Sequence, residues 1–63
     1  MSSANEISRD TIAEFMFVQK AMLSAREENA NNTYEVLKER YIVLKATLGA
    51  LGINITALDR IKE

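Results

Sequence analysis

The chain contains no cysteine, histidine, proline or tryptophan, and only two glycines among its 63 residues. Each absence removes a class of chemistry. Without cysteine there is no disulfide, thiolate metal site or thiol nucleophile, and without histidine there is no imidazole ligand and no Ser-His-Asp relay. A di-iron carboxylate bundle, which needs Glu-x-x-His motifs, is excluded on the same ground. No catalytic residues, metal, cofactor or small-molecule substrate are therefore expected, and the chain is read as non-enzymatic.

No apolar run approaches the roughly 18 residues of a membrane span. The opening stretch, MSSANEISRD, has neither the basic start nor the apolar centre of a secretion signal. A cytoplasmic protein with no membrane role is expected. The Asn-x-Thr triplets at Asn31 and Asn54 then count as chance matches to a glycosylation site. One sign of charge is not in excess either: eight basic residues face nine acidic ones, for a net charge of −1. Nucleic-acid affinity through bulk positive charge is not favoured, because that affinity comes from clustered Lys and Arg neutralising phosphates.

What the chain does have is helix. Both glycines, Gly49 and Gly52, lie near the C-terminal end, so the first 48 residues carry no strong breaker. Ser3 and Glu6 have capping-box spacing, which predicts a helix over about residues 4–28. Asn29, Asn31 and Asn32 then predict a turn over 29–32 without glycine, since asparagine tolerates the left-handed backbone. Asn32 followed by Glu35 has the spacing of a helix cap and its third residue, so a second helix is expected over about 33–51.

The second helix carries a heptad series of Tyr34, Leu37, Tyr41, Leu44, Leu48 and Leu51, which predicts one packed face. Lys38, Glu39, Arg40 and Lys45 read as the wet surface of this helix, yet apolar residues continue off the packed face. Val36, Ile42 and Val43 lie outside the seam, and Phe17 lies well round the first helix from Ile12, Met16 and Leu23. Between Ile12 and Ala25, only Glu14, Gln19, Lys20 and Ser24 interrupt an otherwise apolar stretch. A helix that is apolar on most sides is covered by more than one neighbour, and a hairpin supplies one. The expected architecture is an all-α antiparallel hairpin with a short C-terminal helix over about 55–62, forming one domain over residues 1–63 and dimerising into a four-helix bundle. Phe17, Val36, Ile42 and Val43 are the expected interaction surface, for a second copy or for another protein. The function this implies is that of a small regulator or adaptor.

Gly52 suits the left-handed position that ends a helix, with Ile53 beyond it completing a Schellman stop. The same stretch, LGINITALDRI, resembles the turn and recognition-helix start of helix-turn-helix proteins, especially those of the Fis type. That resemblance implies a dimeric DNA-binding regulator using residues 53–63. Gly52 would form the turn, Leu51, Ile53, Leu58 and Ile61 would be buried, and Thr56, Arg60 and Lys62 would meet DNA beside Ile55 and Asp59. The chain departs from the pattern at Leu48, at Ile55 and at Asp59, whose negative charge would approach phosphate.

Overall fold

The computed structural model describes residues 3–63 and is all-helical among them: two helices packed against each other and one short 3-10 turn. The first helix, α1, spans Ala4–Glu27, and the second, α2, spans Asn31–Ala50. At the start of α1, the Ser3 hydroxyl accepts the Glu6 amide at 3.2 Å, the amide half of the predicted capping box.

The turn between the helices is tighter than the asparagine pattern suggests. Asn29 takes the left-handed conformation at φ 56°, and the amides of Asn29 and Ala30 donate to the carbonyls of Arg26 and Ala25. These are the two bonds of a Schellman stop, made here with asparagine in place of glycine. They reverse the chain at once, so α2 begins at Asn31. Ala30 is its cap residue, without a side-chain bond, and the capping role expected of Asn32 is not used.

The two helices close on a core of Phe15, Val18, Met22, Tyr41, Leu44, Leu48 and Ile61. The Phe15 and Tyr41 rings stack with centroids 5.5 Å apart. The predicted seam of α2 holds from Tyr34 to Leu48. Its last member, Leu51, is exposed instead, because it falls on the cap residue of α2 where α1 has run out.

Gly52 ends α2 at φ 79°, with Ile53 donating to the Leu48 carbonyl and Gly52 to that of Gly49. The short helix expected over 55–62 does not form. Only Ile55–Ala57 make a single 3-10 turn, and the chain from there to Glu63 lies irregularly across the hairpin as a strap. The reason is a tertiary interaction that competes with helical hydrogen bonds. The fully buried Gln19 side chain accepts the amides of Arg60 and Ile61 and donates to the Leu58 carbonyl at 3.0 Å. Far from being an interruption of the apolar face, Gln19 is the fastening of the strap.

Two substitutions test this account in urea unfolding. Gln19→Leu makes α1 more apolar, yet it strands three backbone groups of the strap, and a loss of about 1–3 kcal/mol is expected. Gly52→Ala meets no atom within 4 Å of the new methyl, so any loss is purely conformational, about 1–2 kcal/mol for a left-handed alanine. An unchanged Gln19→Leu protein would mean that the Gln19 bonds do not hold the strap.

Candidate functional site

The hairpin has two broad sides, and they are finished differently. On one side lies the strap, whose polar anchors form a connected set. Asp59 is buried. Its carboxylate accepts the Tyr41 hydroxyl at 2.7 Å and the Lys62 amide at 2.9 Å, and it pairs with the Lys45 ammonium at 2.9 Å. Lys62 adopts a left-handed φ of 60°, which turns Glu63 back onto α2. There the Glu63 amide donates to the Tyr41 hydroxyl, its carboxylate accepts the Tyr34 hydroxyl at 2.6 Å, and Lys38 lies 3.5 Å away. Arg26 completes the chain of contacts by donating to the Tyr34 oxygen at 2.9 Å.

The other side carries a bidentate ion pair. Arg40 donates to both oxygens of the Glu14 carboxylate, at 2.7 and 2.8 Å, linking the middles of α1 and α2. Successive helical residues point about 100° apart, so this pair and the strap contacts fix which way every other position faces. On α1, Ile7 and Ala21 lie within about 20° of Glu14, and Phe17 within about 60°. On α2, Leu51, Val36 and Val43 lie within about 20°, 40° and 60° of Arg40.

These positions hold most of the exposed apolar bulk. Six large apolar side chains stand exposed among the described residues, and five of them are Ile7, Phe17, Val36, Val43 and Leu51. Phe17 keeps 70% of its surface in solvent and Val36 keeps 66%. The sixth, Ile42, is exposed but points about 160° away from Arg40. It belongs beside Lys38 and Lys45, at the edge of the strap side. Of the four residues expected to form an interaction surface, the structure therefore brings Phe17, Val36 and Val43 to one side and leaves Ile42 out. It adds Ile7, and also Leu51, which the heptad series places on the packed face and which is exposed.

The residues of the DNA-reading alternative, Thr56, Arg60 and Lys62, are all exposed, but they sit on the strap and not on a recognition helix. Asp59 between them is drawn inward. Lys45, expected on the wet surface of α2, is half-buried against Asp59. A shallow open depression over the turn is lined by Asn29, Ala30, Asn31, Asn32 and Thr33, none of them charged. No group of three metal-ligating side chains occurs among the described residues, Glu27 and Glu28 included, and no described helix is long and apolar enough to cross a membrane.

The strap anchors titrate in a definite direction. Burial alone would raise the Asp59 carboxyl, but the bonds from Lys45, the Lys62 amide and Tyr41 outweigh it and hold the group below its ordinary value. The bond to Asp59 raises Lys45 against a smaller opposing effect of burial. Glu63 is held low, chiefly by the Tyr34 hydroxyl. A carboxyl lowered in the folded state adds stability that is complete above about pH 4 and is lost as pH falls through the lowered value; a raised lysine adds stability that is complete below about pH 10.4 and is lost above it. Folding stability should accordingly be flat through neutrality and fall in acid. In Asp59→Asn the acid decline should be shallower, read as urea midpoints between pH 7 and pH 2. An acid limb as steep in the variant as in the wild type would show that Asp59 is not the responsible group.

Comparison with protein-family models, with curated protein sequences and with solved structures finds no match for this chain.

Proposed function

We propose that this chain works by association and not by catalysis, as a small helical interaction protein of the regulator or adaptor kind that pairs two hairpins into a four-helix bundle. The observation that carries this reading is the gathering of five of the six exposed large apolar side chains on the side away from the strap. Burial of apolar surface is the main favourable term in protein association, and contiguous exposed apolar surface on a soluble chain marks an interaction site. The strap strengthens the point. It closes one side of the hairpin with Ile61 and with partly buried Ile53, Ile55 and Leu58, and among the described residues nothing equivalent covers the opposite side. A core this small also gains from a partner, since a short chain buries a lower fraction of its surface than a long one.

The DNA-binding alternative is not carried forward. A helix-turn-helix reader inserts a helix into the major groove, and the segment after Gly52 provides a three-residue 3-10 turn followed by the strap.

Sedimentation equilibrium over a concentration range, with circular dichroism on the same samples, tests the reading. The wild type should associate. Phe17→Glu and Val43→Glu should each weaken association at least ~10-fold, equivalent to about 1.4 kcal/mol, with helix content retained. Ile42→Glu should associate as the wild type does. A monomeric wild type would refute the pairing, and equal disruption by Ile42→Glu would show that the wrong side has been chosen.

A further inference from the structure

The uncovered side has a pattern as well as a composition: a positive and a negative charge at its centre, Asp10 within about 40° of Glu14 beside them, and apolar groups towards both ends. Glu14 and Arg40 fall near the middles of Ala4–Glu27 and Asn31–Ala50. Ile7 and Leu51 lie towards one end, and Phe17, Ala21 and Val36 towards the other. Such a face can meet a second copy of itself in two ways about a two-fold axis. If the axis runs across the helices, α1 lies on the partner's α1 and α2 on the partner's α2. Full overlap then sets Glu14 against Glu14 and Arg40 against Arg40. If the axis runs parallel to the helices, α1 lies antiparallel on the partner's α2, and every central charge meets its opposite.

Resting on the associative reading above, we propose that two copies dock about an axis parallel to the helices, with α1 of each on α2 of the other, and that Glu14 and Arg40 select this arrangement. Residue level supports it independently. Within one chain Glu14 is level with Arg40, and Phe15 is level with Tyr41. An axis parallel to the helices preserves those levels, so Ala21 comes within ~3 Å, along the axis, of the level of the partner's Val36, and Phe17 falls between the partner's Val36 and the partner's Arg40. Phe17 then meets apolar surface and the flat face of a guanidinium, while Val43 falls between the partner's Asp10 and the partner's Glu14.

The molecule measures 38 × 24 × 14 Å, so the rectangle that bounds its broad side is ~900 Å², and a standard stable interface of about 800 Å² per partner would take up nearly the whole of it. The Glu14–Arg40 pair is half-exposed in the single chain. In the pair of hairpins it becomes part of a four-charge cluster of alternating sign, so neither ion is left in apolar surroundings without an opposite charge. Arrangements that lack this alternation are disfavoured by like-charge contact, which is how charges confer specificity at an interface.

The absence of cysteine makes the test direct. Ala21→Cys and Val36→Cys are prepared as separate single variants of the full chain, then treated with a short bis-maleimide alone and as an equimolar mixture, with sedimentation equilibrium run on each. The expected result is a dimer in every sample and a covalent heterodimer in the mixture, several-fold more abundant than the cross-linked product of either variant alone. Dimers without that excess would overturn the proposed orientation while leaving the associative reading standing. Monomers, with the wild type monomeric too, would overturn both. For the charges, Glu14→Arg and Arg40→Glu should each associate several-fold more weakly than the wild type, and their mixture should recover a heterodimer. Failure of the mixture to recover would overturn the selecting role of the pair.

Discussion

One side-chain amide decides the shape of this molecule. Gln19 is fully buried on the apolar face of α1, in a place where an unpaired amide would be costly. It avoids that cost by using its oxygen for two strap amides and its nitrogen for a strap carbonyl. The bonds do for residues 58–61 what a helix would have done for itself: they satisfy the backbone. Because the backbone is satisfied from outside, the segment has no need to be helical and can follow the surface of the hairpin. That lets Ile61 enter the core and Asp59 reach Tyr41 and Lys45.

From this fastening the two sides of the hairpin acquire different characters. The strap side is closed, and two lysines of α2 are paired with strap carboxylates there: Lys45 with Asp59, and Lys38 with Glu63. On the opposite side, Glu14–Arg40 is the one ion pair between α1 and α2 among the described residues, and the large apolar groups there are exposed. Exposed ion pairs contribute little to folding, with a median of about 0–1 kcal/mol. In the proposed pairing of hairpins, the placement of this one at the midpoint of both helices matters more than its contribution to folding.

Much of the hairpin was legible in the sequence. The lack of breakers before Gly49, the Ser3 cap, the heptad series of α2 as far as Leu48 and the left-handed role of Gly52 are all local signals, and each appears in the structure. The turn was legible in kind but not in detail. Three asparagines within four positions have similar freedom, and the choice of Asn29 rests on bonds back to Ala25 and Arg26. The strap was not legible, because its bonds join residues 39 to 42 apart and leave no period in the sequence. For the same reason Gln19 looked like an interruption and Lys45 like a solvated surface charge. Phe17, Val36 and Val43 could be identified as lying off the packed seams. That Ile42 lies on the other side could not, since a periodic pattern gives distance from the seam but not which side the strap will cover.

The three-residue reversal at Glu28–Ala30 bears on how the chain reaches this structure. Its hydrogen bonds span only three to five residues, and they bring α1 and α2 together from the turn outward, so the helical hairpin has low contact order. The strap contacts join the two most distant parts of the fold. They carry the larger loop-closure cost, and the groove that receives them exists only once the hairpin is built. The expected order of assembly is therefore hairpin first and strap last. During that interval both sides of the hairpin are open, and residues 53–63 of one chain have a brief opportunity to close on another.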